Sequence, residues 1–322
     1  MSIQDEIGRI KDNIDNAYGA VDAMGGDVPD TPNSDNLAPS ILTIPQAGGA
    51  FNLIINGNLD QDCWQRGASA TSPSGGGYPA ADRYRLSAGT MTRREFPIGQ
   101  DGMPNDTRFC MEVAVAAGAV LEQRIEGVER LSGGKAVFSF WLRTVSGTGR
   151  ARINFRQQFG TGGSFGVNGR DTDNQIFNIN TTWQEFIFEV DVPHVALLSI
   201  GANNYVSAMV TFLDAGTYQT TRWNVPKNRI YRPIQPKFNF VEFAMCQRYC
   251  EITQGFFHSA PVSALNYVFV SAPFRVRKRV VPIIQHSMLS GVAVSVNTTV
   301  DRTQFMGSEF YIVVGVLADA EL

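Results

Sequence analysis

The chain is poor in the side chains that carry most enzymatic chemistry. Its three histidines, His194, His258 and His286, stand in unrelated contexts, and no G-x-S-x-G, H-E-x-x-H or P-loop pattern occurs in it. The four cysteines, Cys63, Cys110, Cys246 and Cys250, include no C-x-x-C pair, which argues against a disulfide scaffold or a zinc site of the usual spacing; buried free thiols are expected instead. Charge is scarce as well. With 18% charged residues and a formal net charge of −3, the chain lacks the dense basic surface that displaces counterions from nucleic acid. The longest apolar run, Phe310 to Ala318, falls short of the roughly 20 residues that span a bilayer. The acidic start MSIQDEIGRI has neither the basic region nor the apolar core of a secretion signal. No nucleic-acid partner, membrane insertion, metal or cofactor is therefore expected, and assembly in a cytoplasm is.

What the chain does hold is apolar and aromatic residue interleaved with glycine. A composition of 43% hydrophobic residues with 21 phenylalanines and 31 glycines favours β-structure with tight turns. The first 49 residues read differently. Ile3, Ile7, Ile10, Ile14, Ala17 and Val21 recur at alternating spacings of four and three, the seam of a heptad helix. β-Branched residues at most of the seam positions favour three or four strands, so a trimeric coil is expected, with Glu6 and Lys11 placed to meet across chains. The same stripe also suits an amphipathic helix packed on its own domain or docked on another protein. Gly25-Gly26 would end this helix, and Leu37, Ile41 and Ile44 form the stripe of a second short one, capped near Ser34 or Asp35 and stopped by Pro45. Residues 1–49 are thus expected to form an acidic helical segment for anchoring or trimerisation.

From residue 50 onward, short apolar or alternating runs are separated by Gly, Asn, Ser and Thr clusters. Strands are expected at 52–56, 83–87, 90–96, 108–116, 119–126, 135–145, 149–157, 184–192, 207–213 and 238–244. In KAVFSFWLRTV, for example, Phe138, Phe140 and Leu142 alternate with Val137, Ser139, Trp141 and Arg143. Many short strands without long intervening helices predict an antiparallel β-sandwich, a jelly roll, over residues 50–245. Glu242 to Gln254 reads as a strand running into a short helical connector, and Arg275 to Arg279 as an edge strand guarded by charge. The remaining runs predict a smaller β domain over 246–322. The fold class is therefore mainly β behind an N-terminal helical segment.

Several motifs fall in a telling order. NLIINGNLDQDCWQRG, then GYPAADRYRLSAG, then MCQRYCEI at 245–252, FRVRKRVVPII at 274–284 and the ending ADAEL together resemble the β-sandwich domain of bacteriophage tail-fibre and virion-fibre proteins. The helix with AYGAVDAMGG followed by PNSDNLAPSI is similar to adaptor segments of the same class of protein. Tyr84 stands where that family often has Trp, Leu59 where it has Phe, and Cys250 where it has a second Tyr. The resemblance implies a structural fibre or spike at the virion surface that touches other virion proteins through its N-terminal segment. Because such jelly rolls are similar to carbohydrate-binding modules, it also implies host surface polysaccharide as the ligand. A purely architectural capsid or baseplate part is the alternative, followed by a glycan depolymerase.

Sugar binding needs aromatic faces for the apolar side of a pyranose and planar polar groups for its hydroxyls. Tyr78, Phe165, Asn168, Arg170, Asp171 and Tyr205 are the loop residues that meet that description. Asp171 and Asp173 could also serve as a carboxylate pair for glycoside hydrolysis, hold calcium, or simply form a solvated turn. No catalytic residue is assigned, and the chain is expected not to be an enzyme. Trp64, Arg66 and Asp82 are read as a structural clasp closing the sandwich, with Arg66 near enough in sequence to stack on Trp64 or to pair with Asp82.

Overall fold

The computed structural model describes residues 3–23, 28–43, 52–59, 63–96, 102, 107–227, 229–231, 233–234, 237–258, 268–290, 295–307 and 312–321. Its contacts divide the chain into two compact units, Met1–Phe51 and Asn52–Leu322. The first unit is a pair of helices, α1 (Ile3–Ala23) and α2 (Ser34–Thr43). Asn33 caps α2, its side-chain oxygen accepting from the backbone N–H of Asp35 at 2.9 Å and Asn36 at 3.0 Å, so the cap falls one residue earlier than Ser34. Tyr18 and Val21 are buried, and the Tyr18 hydroxyl donates to the Asn33 carbonyl at 2.8 Å. The heptad stripe is divided as a result: Val21 is covered, Ile14 half-buried, and Ile7 and Ile10 remain exposed. Glu6 pairs within its own helix with Arg9, whose Nε lies 3.1 Å away. Gly25, Gly26, Ile44 and Pro45 lie outside the described residues, as do the side chains of Ile3 and Ile41.

The second unit is built on a sandwich. In chain order its strands are β1 (Ser69–Thr71), β2 (Tyr84–Leu86), β3 (Thr90–Glu95), β4 (Phe109–Val115), β5 (Val120–Glu126) and β6 (Gly134–Thr144), then β7 (Gly149–Gln158), β8 (Arg170–Asp171), β9 (Gln175–Ile179), β10 (Gln184–Val192), β11 (Tyr205–Phe212) and β12 (Gly216–Asn224). One sheet runs β1-β3-β4-β12-β6-β10 and the other β2-β5-β11-β7-β8, with β9 also on β7. All of these pairings are antiparallel. Alternation does the sorting: Ala136, Phe138, Phe140 and Leu142 from one sheet meet Ala151, Ile153, Phe155, Val206 and Val210 from the other in one core. Trp223 sits at its centre, 4.9 Å from the Phe138 ring and 5.1 Å edge-on from Tyr84.

Beyond the sandwich come α3 (Asn239–Gln247), β13 (Cys250–His258), β14 (Val268–Pro273), β15 (Ile283–Ser290), β16 (Ser295–Thr298), β17 (Arg302–Gly307) and β18 (Ile312–Asp319). They make two three-stranded sheets, β13-β18-β15 and β14-β17-β16. Residue 245 lies inside α3, and Phe243 and Cys246 of α3, with Tyr249 just past its end, pack against Ile55 and Cys63 near the start of the unit. All four cysteines are free and buried.

Three expected elements differ. Residues 238–244 are helix rather than strand, and the strand follows at Cys250, so the order of strand and connector is reversed. Residues 275–279 form an irregular loop between β14 and β15. That loop takes its shape from Lys278, whose fully buried ammonium meets the equally buried Glu251, while the backbone N–H of Arg275 donates to the same carboxylate at 2.9 Å. Finally, 52–56 is an irregular strap joined to the sandwich by a single bridge, Asn52 to Pro226. Buried backbone outside a ladder must find other partners, and here side chains supply them. Asn52 Oδ1 accepts from Ile54 and Val225, Gln123 bonds both the N–H and the carbonyl of Ile55, and Glu242 accepts from the N–H of Asn56.

Candidate functional site

Five of the six residues expected to meet a sugar gather at one end of the β2-β5-β11-β7-β8 sheet. Two loops build this end, one at 159–169 after β7 and one at 193–204 before β11. They are joined by Thr161 N–H to Ala202 carbonyl at 2.9 Å, Gly201 N–H to Phe159 carbonyl at 2.7 Å, and Ser164 N–H to Ser199 carbonyl at 2.9 Å. Gly160 has φ +79°, and a Cβ there would stand 2.2 Å from the Ala202 carbonyl oxygen, so close pairing of the loops requires glycine. Phe165 is held at φ 61°, unusual for a bulky residue, with its ring 5.3 Å from that of Phe159. It enters a short 3-10 turn at Gly166–Asn168. Phe165, Val167 and Leu197 remain exposed at the tip, as does Asn168.

Arg170 is occupied locally. Its guanidinium donates to Gln157 Oε1 at 2.6 Å and to the carbonyls of Pro193 and His194 at 3.2 and 3.1 Å, and it lies over both Phe159 and Phe165. It therefore braces the tip. Asp171 forms a two-pronged pair with Arg156 at 2.7 and 3.0 Å, while Asp173 is exposed. Among the described residues, no group of three or more His, Cys, Asp or Glu side chains converges as a metal site. Tyr205 opens β11 and lines a cavity of about 340 Å³ with Gln158, Thr161, Val167 and Asn203. The Gln158 amide donates to the Val167 carbonyl at 2.8 Å, tying strand to tip.

Tyr205 also begins a wider polar face. Because Leu121, Ile125, Val206, Ala208, Val210, Ile153 and Phe155 point into the core, their neighbours Glu122, Arg124, Ser207, Met209, Asn154 and Arg156 point the other way. The register sets them in rungs: Arg85, Glu122, Met209, Asn154, then Arg124, Ser207, Arg156, Asp171, then Glu126, Tyr205, Gln158. Glu122 is only 5% exposed although it faces away from the core. It accepts from Arg85 at 3.2 Å, Arg124 at 2.9 Å and Ser207 at 2.8 Å. Arg124 lies 4.6 Å over the Tyr205 ring, and burial raises the Tyr205 phenol above its ordinary range. Such a face offers an aromatic ring, guanidinium forks, carboxamides and a carboxylate in one continuous surface. Sequence reasoning missed Arg85, Glu122, Arg124, Asn154, Arg156 and Gln158. The alternation in VLEQRIE and RARINFRQQ carried their signal, but only the pairing of both strands with β11 unites them.

Tyr78 does not join this group. It is half-buried beneath Arg66, whose guanidinium lies 5.5 Å from the ring centre, and burial raises its phenol well above the ordinary range. Arg66 pairs with Asp82 at 3.4 Å and also with Asp319 at 3.2 Å and Glu321 at 3.4 Å. Neighbouring Arg83, fully buried, binds Glu321 and stacks 3.5 Å from the Tyr249 ring centre. Gln65 donates to Asp82 at 3.0 Å and to the Cys250 carbonyl at 2.8 Å. These contacts fasten β18 and the start of β13 to the sandwich. Trp64 is buried, its Nε1 donating to the Leu59 carbonyl at 3.4 Å, and the guanidinium above it belongs to Arg93. Burial pushes Asp82 up to about 7 against the opposing pull of Arg66 and Gln65.

No protein-family model matches the chain, and no curated protein matches it. Solved structures align to parts of it. A CBM4 carbohydrate-binding module is 16% identical, with 45% of this chain and 78% of that chain covered at TM-score 0.27. The enzymatically active domain of tailspike protein 4 from bacteriophage CBA120 is 14% identical, with 54% and 21% covered at TM-score 0.33. The family 11 carbohydrate-binding module from Clostridium thermocellum, solved with a β-1,3-1,4-mixed-linked tetrasaccharide, is 8% identical, with 49% and 95% covered at TM-score 0.31. Similarity at this level assigns no family.

Proposed function

We propose that the chain is a non-enzymatic, polysaccharide-binding fibre or spike component of a phage or phage-like particle, assembled in the host cytoplasm and displayed on the virion surface. The observation that carries the binding role is the placement of Tyr205. It stands between an open cavity and a face of guanidinium and carboxamide groups, beside an exposed tip bearing Phe165 and Val167. The ring suits the apolar side of a pyranose and the planar groups suit its hydroxyls. The fibre role is supported by the ordered motifs of the sequence and by a helix that leaves Ile7 and Ile10 exposed for a second and third copy or for another virion protein. In a trimer, three sites of roughly millimolar strength would act together.

The test is retention of the full-length protein on host-type polysaccharides, with mass taken by light scattering on the same sample. Retention that Tyr205→Ala abolishes at unchanged thermal stability, with a mass near three times 35.3 kDa and no shortening of the polymer, is the expected result. A trimer that ignores every polysaccharide would leave an architectural part. Shortened polymer would replace the binder with a depolymerase.

A further inference from the structure

Although the whole chain carries a net charge of −3, the face that begins at Tyr205 is rich in arginine. Its ends carry ion pairs of their own, Arg150 with Asp214 at 2.9 Å, and Glu126 with both Arg279 at 2.9 Å and Arg248 at 3.4 Å. Between them stand Arg85, Arg124, Arg152 and Arg156, against Glu122, Asp171 and, just past β8, Asp173. Glu122 is buried beneath two of the four guanidinium groups, which therefore share one charge. Arg152 is exposed and has no ion pair among the described residues.

Donor chemistry decides what such a face prefers. A guanidinium donates and never accepts, and its fork matches a carboxylate or phosphate in two parallel bonds. The acceptors of this face are largely occupied, since Glu122, Asp171 and Glu126 are each held by guanidinium groups, so the hydroxyls of a neutral pyranose, which need acceptors as well as donors, are served less well there than an anion beside the exposed Arg152. The Arg156–Asp171 pair, partly exposed with side chains at 38% and 48%, already displays the bond a ligand carboxylate would make. Arg124 and Arg156 flank the small Ser207 on adjacent strands, roughly 10 Å apart at the usual strand spacing. We infer that the ligand of this face is an acidic polysaccharide whose carboxylates or phosphates are held by Arg124, Arg152 and Arg156. The inference rests on the polysaccharide-binding reading and adds the chemical class.

The experiment passes the full-length protein over immobilised polygalacturonate, poly(glycerol phosphate) and dextran at increasing salt. Retention is expected on one of the acidic polymers, which separates carboxylate from phosphate recognition, and it should weaken as salt rises. The double variant Arg152→Gln/Arg156→Gln, whose side chains are at the surface, should lose about tenfold or more in affinity at unchanged thermal midpoint. Arg94→Gln/Arg108→Gln on the other sheet should lose none. Salt-indifferent retention on dextran alone would overturn the acidic class while leaving polysaccharide binding in place. Retention on none of the three would remove both, and equal loss in the two double variants would show general charge attraction and overturn this face as the site.

Discussion

Trp64 and Asp82 show how much the stability of this protein hangs on single side chains. Trp64 fills a buried site in the main core and has its one polar atom bonded. Trp64→Ala should therefore cost about 3–5 kcal/mol, read as a lowered thermal midpoint with glycan retention persisting below it; a fully stable variant that had lost only binding would overturn the structural role. Asp82 makes a second, separable prediction. A carboxyl whose native pKa stands near 7, above an unfolded value of about 4, holds extra protons in the native state between those limits. Its contribution to stability therefore falls as pH rises through that window. Asp82→Asn cannot titrate, so the stability of the natural protein relative to this variant should decline from about pH 4 to 7 in denaturant titrations. A difference that stays constant with pH would contradict the burial argument. At this scale the sequence was partly legible. It paired Arg66 with Asp82 by proximity, yet gave no sign of Asp319 or Glu321, more than 200 residues away along the chain.

At the scale of elements, the strap and the paired loops matter most. The Asn-Gly turn of the strap was readable: Asn56 is left-handed at φ 59°, and a Cβ on Gly57 would lie 2.4 Å from the Trp223 carbonyl oxygen. Its neighbours read as a strand because Leu53, Ile54 and Ile55 are apolar, but their backbone bonds go to the Val225 carbonyl and to the side chains of Asn52, Lys237 and Gln123, most of them partners no local pattern reveals. In the same way α3 buries Cys246 beside Cys63, so a stretch with strand-like apolar residues takes helical form because tertiary packing overrides propensity. The paired loops yield the third prediction. Gly160→Ala introduces a methyl against the Ala202 carbonyl in a left-handed position, which should separate the two loops and weaken polysaccharide retention while the thermal midpoint falls by no more than a few degrees. Normal retention by this variant would show that the tip plays no part in binding.

For the second unit as a whole, a buried ion-pair joint ties the C-terminal sheets to the sandwich, beside the contacts of Glu126 with Arg248 and Arg279. Arg83 is buried against Glu321 and Arg66 against three carboxylates. Removing one member of such a cluster leaves a buried charge without its partner, typically at a cost of about 3–5 kcal/mol. Glu321→Ala should therefore expose the 250–321 segment to protease under conditions where the sandwich stays intact; simultaneous loss of both parts, or no change in cleavage, would show that the joint is held elsewhere.

The sequence by itself determined the fold class, the helical start and most sandwich strands, because alternation along a strand is a local signature of which side is buried and apolar spacing of three and four is a local signature of a helix. It also placed Phe165, Asn168, Arg170 and Asp171 together, since they are neighbours in the chain. Tertiary structure alone decided that β11 lies between β5 and β7, which brings Tyr205 beside Arg124 and Gln158, that Tyr78 belongs with Arg66, and that the last residues of β18 and beyond return to the start of the sandwich. Strand order and ion pairing across hundreds of residues depend on which surfaces meet in three dimensions, and local periodicity carries no record of that.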